Sequence, residues 1–122
     1  MVETNLDTKA ELEPTCVCGT ITYLQRIALP PEAIVEVQLQ DVSRQDVAAT
    51  ILATQTIQLT GQQVPIPFQL SYSIAQINLK HRYAVQARIL VNHQLWFINT
   101  STYWVITHGY PREIEILVQS AK

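Results

Sequence analysis

The chain has 122 residues, of which 48% are hydrophobic and 15% are charged. This length predicts one domain that can bury a core without help from disulfides or a metal ion. The formal net charge of −2 argues against a nucleic-acid-binding surface, because phosphate backbones are bound by clustered Lys and Arg. We therefore exclude nucleic acid from the expected partners.

Membrane-spanning and export signals are missing from the sequence as it stands. No segment approaches the roughly 18 uninterrupted apolar residues that a membrane span requires. The first residues contain no basic region followed by an apolar run, which an export signal would show. We expect a soluble chain without a transmembrane segment, in a compartment that these features do not identify.

The chain divides into a tail and one domain. Residues 1–14 are polar and acidic without periodicity, which predicts a flexible tail. From residue 15 to residue 120 apolar residues recur with the strand period of two. In the first strand Val17, Ile21 and Tyr23 share one face with Gly19, which predicts a bulge or the close approach of another backbone there.

Two cysteines lie in this first strand. Cys16 and Cys18 are two residues apart, so their side chains point to one face and a bridge between them would be strained. No further Cys or His lies at ligand spacing. We expect two free structural thiols, no metal site and no cofactor.

The middle of the chain supplies two more strands. Pro30 and Pro31 predict a connection, because they cannot donate to a ladder. Residues 35–40 alternate cleanly, residues 41–46 form a polar turn, and Gln55 interrupts the apolar face of residues 51–59, which predicts a bulge.

The next segment combines an edge strand and a helical turn. Pro65 and Pro67 predict that the strand at residues 66–72 is an edge strand. Ser73 and Gln76 have the spacing of a capping box, which predicts one helical turn with Ile77 or Leu79 packed beneath it.

The last third predicts a central strand followed by two more. Residues 83–91 show the cleanest alternation, a hairpin at residues 92–94 returns the chain through residues 95–103, and a turn at residues 107–111 precedes the final strand. Seven strands without an amphipathic helix predict an all-β, single-domain antiparallel β-sandwich, with a small β-barrel as the alternative.

Late aromatic residues are the candidate partner-binding site. Trp96 and Trp104 share a parity opposite to Leu95 and Phe97, so one set faces outward if the strand is regular. Exposed Trp side chains anchor protein interfaces or stack on sugars. We take Trp96, Trp104 and Tyr103 as candidate partner-binding residues, with core packing as the alternative, and a sheet edge could also support a homo-oligomer.

Charged residues of the polar turn form a second candidate group. Bidentate pairing of arginine with carboxylate would let Arg26, Asp41, Arg44 and Asp46 clasp a loop, and a partner-docking loop is the other interpretation.

Catalytic residues are not indicated. His81, His93 and His108 lie near predicted turns without neighbouring ligands or bases. No nucleophile motif is present. We expect three exposed loop histidines and no enzymatic activity.

Residues spread over the predicted domain resemble the YbaY-like and type III secretion lipoprotein chaperone (pilotin) family. The matching residues are Gly19, Thr20, Tyr23, Arg26, Ala28, Leu29, Pro30, Pro31, Val37, Leu39, Asp41, Val42, Ser43, Arg44, Asp46, Val64, Pro65, Phe68, Leu70, Tyr72, Tyr83, Ala87, Ile89, Thr107, Gly109 and Pro111. The Ala28–Pro31 corner and the Asp41–Arg44 turn are specific mainly in combination.

The resemblance implies a β-sandwich without enzymatic activity, lipid-anchored in the cell envelope, with a secretin-like or other envelope protein as partner. The sequence before Cys16, Glu-Pro-Thr, is not a lipidation context. We expect a noncatalytic protein-binding or assembly module. A β-sandwich that binds small ligands or glycans through the same aromatic residues is the alternative.

Overall fold

The computed structural model describes residues 15–43 and 48–121. Within them the chain forms nine strands and one 3₁₀ turn, at Ile74–Gln76. The strands are β1 Thr15–Thr22, β2 Ile34–Asp41, β3 Thr50–Gln58, β4 Ile66–Tyr72, β5 Tyr83–Val91, β6 Gln94–Ile98, β7 Tyr103–Val105, β8 Glu113–Leu117 and β9 Gln119–Ser120. The predicted tail, residues 1–14, lies outside the described part of the chain.

The strands form two sheets. The smaller sheet has the order β4-β1-β8, and the larger has the order β3-β2-β5-β6-β9 with β7 also paired to β5. The sheets are not closed into a barrel, so the predicted all-β sandwich is confirmed. One pair departs from the antiparallel expectation, because β1 and β8 run parallel.

The core lies between the sheets and is built by the alternation seen in the sequence. Val35, Val37 and Leu39 of β2 are fully buried, and so are Val17 and Ile21 of β1. Fully burying an aliphatic side chain contributes about 1.5–3 kcal/mol. Period-two burial on facing strands therefore holds the two sheets together.

The predicted central strand is confirmed. β5 pairs with the whole of β2 on one side and with β6 and β7 on the other. The predicted single strand at residues 95–103 is therefore divided. Between its two pieces the Asn99 side chain accepts a hydrogen bond from the Ala87 N–H at 2.8 Å, and the Asn99 N–H donates to the Ala87 carbonyl at 3.2 Å. The side chain therefore supplies the acceptor that a backbone carbonyl would supply in an unbroken strand.

The C-terminal segment changes sheets. β8 pairs with β1 of the smaller sheet and β9 pairs with β6 of the larger, while the N–H of the intervening Val118 donates to the Thr22 carbonyl at 2.9 Å. This switch and the divided strand explain why nine strands occur where seven were expected.

The side chain of Gln55 links β3 of the larger sheet to β4 of the smaller sheet. β4 is an edge strand, as its prolines predicted, and the Gln69 N–H at its edge donates to Gln55 Oε1 of β3 at 2.7 Å. The register shift in β3 leaves Leu52 unmatched, so the bulge is three residues before Gln55. Gln55 pairs with the buried Val37 and therefore faces inward, where its side chain accepts the hydrogen bond from β4.

The 3₁₀ turn has the predicted capping box. Ser73 Oγ accepts from the Ala75 N–H at 3.2 Å, and Gln76 Oε1 accepts from the Ser73 N–H at 2.9 Å. Ile77 packs against the core, whereas Leu79 is 80% exposed. Of the two residues expected beneath the turn, only Ile77 is there.

Gly19 is required by a close approach, as the sequence suggested. A Cβ at this position would overlap the carbonyl oxygen of Ile114 in β8 and lie 2.7 Å from its carbonyl carbon. We expect Gly19→Ala to lower the free energy of unfolding by about 3 kcal/mol, because inserting atoms into packed structure forces the backbone apart. Thr20→Ala on the outer face is the control, and equal losses in chemical denaturation would contradict the explanation.

Candidate functional site

Three connections meet at one end of the sandwich. Tyr83, the first residue of β5, pairs with Asp41 at the end of β2 and with Val105 at the end of β7. Val42 and Ser43 after β2, residues 73–82 before β5 and residues 106–112 after β7 are therefore neighbours. We call this region the Trp104 end.

Trp104 lies on the outer face of the larger sheet. It pairs with Ala84, whose neighbours Tyr83 and Val85 point into the core. The guanidinium carbon of Arg82 lies 5.8 Å from the centre of the Trp104 ring, and the Tyr110 ring lies 6.2 Å away. The result is a partly exposed aromatic pair with a cation over one face.

The loop that carries Tyr110 has an unusual backbone. Ile106 has a φ of 77° and His108 a φ of 59°, values that side chains disfavour and β-branched residues avoid most. Hydrogen bonds hold the loop, among them Tyr110 N–H to the Thr107 carbonyl at 3.1 Å and Thr107 Oγ1 to the His81 carbonyl at 2.7 Å. Strain of this kind concentrates at binding and catalytic sites.

Trp96 occupies a different environment from Trp104. Ile89 pairs with Phe97 but Leu90 pairs with Leu95, which leaves Trp96 as an extra residue in a bulge. Trp96 packs against the core. The parity expectation assumed a regular strand, and the bulge removes that assumption, so the two tryptophans do not form one surface.

Tyr103 connects the two sheets. It pairs with the buried Val85, and its hydroxyl accepts a hydrogen bond from the Leu117 N–H at 2.9 Å. Its position explains how β7 and β8 are joined. Of the three candidate partner-binding residues, Trp104 is therefore the one placed on the outer face.

Asp41 belongs to a clasp whose described partners are Ser43 and His81. Its Oδ1 accepts from the Ser43 N–H at 3.0 Å and from Ser43 Oγ–H at 2.7 Å, and its Oδ2 lies 2.7 Å from His81 Nδ1. Ser43 Oγ in turn accepts from the Arg82 N–H at 2.8 Å. These bonds tie the turn after β2 to the start of β5.

Of the other predicted clasp residues, the structure describes only Arg26. Arg26 follows β1 at the opposite end of the sandwich, is exposed, and pairs with no carboxylate among residues 15–43 and 48–121. Arg44 and Asp46 lie outside the described residues. His93 and His108 are exposed, as expected, whereas His81 is a half-buried member of the clasp.

Within the clasp, folding shifts the pKa of the Asp41 carboxyl group. Burial acts to raise its pKa, but the hydrogen bonds from Ser43 and the contact with His81 outweigh burial and hold the pKa below its ordinary value. The carboxylate is therefore the stable form in the folded protein at neutral pH.

The two cysteines line a shallow cavity with Pro111, Arg112 and Glu113. Both are free thiols, as predicted. Burial, followed by the nearby Cys16 and Glu113, raises the pKa of Cys18, which disfavours the thiolate that a nucleophile or metal ligand needs. Within the described ranges no three His, Cys, Asp or Glu side chains are grouped to hold a metal ion.

The sequence did not predict that Arg82 lies beside Trp104 or that Ser43 belongs to the clasp of Asp41. Arg82 meets Trp104 across 22 positions and Ser43 across 39, so only the strand register brings them together. The Asp-x-Ser spacing was a usable local signal, because an aspartate often accepts from the N–H two residues on.

Replacing Tyr103 by Phe tests its role as a link between the sheets. We expect Tyr103→Phe to lower the free energy of unfolding by about 1–2 kcal/mol, because the Leu117 N–H loses its acceptor. Thermal denaturation measures the loss. Tyr110→Phe serves as the matched control, and a loss no larger than that of the control would argue against the link.

Replacing Asp41 by Asn tests the clasp. A carboxyl group whose pKa is depressed on folding contributes stability above its unfolded pKa of about 3.9, and this contribution disappears as the pH falls through the folded pKa. Asp41→Asn should therefore cost about 2 kcal/mol at pH 7 and progressively less below about pH 4. Denaturant titrations at several pH values, with Glu115→Gln as control, measure the difference; a loss that does not change with pH would contradict it.

Comparison with known proteins gives three matches. Residues 13–118 match the family described as the type III secretion system lipoprotein chaperone (YscW). The uncharacterized lipoprotein YbaY of Escherichia coli (strain K12) is 37% identical over 93 residues, which are 76% of this chain and 49% of YbaY. The chain thus spans about half the length of that relative.

A solved structure is similar over nearly its whole length. An alternative pilotin from the type II secretion system of Vibrio cholerae superimposes with a TM-score of 0.86 and 39% sequence identity, covering 90% of this chain and 99% of the pilotin. No helix in residues 15–43 or 48–121 has the length and apolar character needed to cross a bilayer. The predicted resemblance is confirmed, and the chain belongs to the YscW family of type III secretion system lipoprotein chaperones.

Proposed function

We propose that this chain is a noncatalytic assembly module that binds a segment of a secretin, and that the Trp104 end is its contact surface. Membership of a lipoprotein chaperone family and the likeness to a pilotin support a protein-binding role. The same relatives support a place in the cell envelope. Neither the matching family nor the two similar proteins are described as binding glycans.

Trp104 is the observation that carries the choice of surface. Its ring is partly exposed on the outer face of the larger sheet, it stands against Tyr110, and it is flanked by a strained but hydrogen-bonded loop. Trp, Tyr and Arg dominate interface energies, because they combine large apolar area with polar groups at low entropic cost. A preformed group of this kind suits partner capture.

Alanine substitution tests the surface. We expect Trp104→Ala to reduce copurification of the secretin encoded in the same genome by at least about tenfold, because central aromatic anchors contribute about 2 kcal/mol or more. Quantitative pull-down from co-expressing cells measures it. Thermal melting of the variant establishes that the fold is kept.

Leu24→Ala is the matched control. Leu24 is 79% exposed and follows β1, at the end of the sandwich opposite to Trp104. Removing it deletes an accessible apolar side chain without touching the proposed surface. Unchanged secretin recovery with Trp104→Ala, or an equal loss with Leu24→Ala, would refute the assignment.

A further inference from the structure

The Trp104 end carries cations that no described carboxylate neutralises. Lys80, Arg82 and Arg112 are all exposed there. The ion pairs within residues 15–43 and 48–121 are His81 with Asp41 and Arg88 with Glu36. The three cations of the Trp104 end belong to neither pair.

Arg82 is held in place by the fold. Its N–H donates to Ser43 Oγ at 2.8 Å, its carbonyl accepts from the Val42 N–H at 3.0 Å, and its guanidinium lies over the Trp104 ring. A guanidinium on an aromatic ring uses its flat face, so the N–H donors along its edge remain available. Those edge donors match a carboxylate, which can accept two of them side by side.

Arg88 shows the contrasting arrangement on the same sheet. Its Nε donates to Glu36 Oε1 at 2.6 Å, so its charge is already paired within the protein. Asp41, which pairs with Tyr83 next to Arg82, is occupied by Ser43 and His81. Glu113 is the other carboxylate described at this end. Among the described residues, therefore, no carboxylate occupies the charge or the edge donors of Arg82.

From this arrangement we infer that the Trp104 end selects an acidic peptide segment that carries a large apolar side chain. The apolar side chain packs on Trp104 and Tyr110, and a neighbouring Asp or Glu pairs with Arg82. Lys80 and Arg112 add attraction at longer range, which steers association more than it adds affinity. This inference rests on the proposed function, because it specifies the partner of the same surface.

Synthetic peptides test the inference without a secretin. Three fluorescein-labelled 12-residue peptides are used: one containing Glu and Leu, one with every Glu replaced by Lys, and one with every Leu replaced by Ser. Fluorescence anisotropy with the full chain should show the Glu-Leu peptide binding most tightly. Its affinity should fall between 50 and 300 mM salt, because exposed charges are screened.

Arginine variants locate the interaction. Arg82→Gln should weaken the Glu-Leu peptide by about two- to fivefold, the range expected for one exposed charge pair. Arg26→Gln removes the same charge from an exposed arginine at the opposite end and should leave the affinity unchanged. Trp104→Ala should abolish binding of the Glu-Leu peptide.

Several results would overturn the inference. Equal or tighter binding of the Lys peptide, equal effects of the two arginine variants, or no binding by any peptide would each do so. If Trp104-dependent capture of the secretin persisted alongside any of these results, the proposed function would stand and the acidic preference would fall. If the peptides behaved as expected but no secretin copurified, the proposed function would fail instead.

Discussion

The structure depends on the central strand β5, because every strand of the larger sheet takes its position from it. Its inner residues Tyr83, Val85, Ala87 and Ile89 are almost completely buried, so a shift of one residue would move this whole apolar row to the outer face. The burial of one row therefore fixes the register of β2, β6 and β7 at once. It also places Trp104 outward, since Trp104 pairs with the outward-facing Ala84.

Where strands are interrupted, side chains take over the backbone's hydrogen bonds. Asn99 bonds to Ala87 between β6 and β7, Gln55 caps the edge of β4, and the Gln63 amide bonds to both the N–H and the carbonyl of Leu29 at 2.7 and 3.1 Å. A backbone polar group buried without a partner would cost about as much as a lost hydrogen bond. Amide side chains, which both donate and accept, allow a short sandwich to turn corners without that cost.

The sequence predicted what local chemistry determines. Alternation located the strands, the prolines identified the edge strand β4, and the missing side chain of Gly19 indicated a close backbone. Parity alone left open which tryptophan packs inward, because the bulge at Trp96 is decided by packing across strands. The clasp partner of Asp41 is His81, 40 positions away, so charge pattern alone pointed instead to the nearer arginines.

The difference between local patterns and contacts distant in sequence also explains why the family was easier to predict than the site. The Ala28–Pro31 corner and the Asp41 turn serve the fold: Leu29 is buried, and Asp41 and Ser43 fasten one connection to the next. Arg82 depends on that fastening, because the bond from its N–H to Ser43 Oγ holds it beside Trp104. A residue pattern that identifies the architecture therefore also positions the proposed binding group, Arg82 and Trp104.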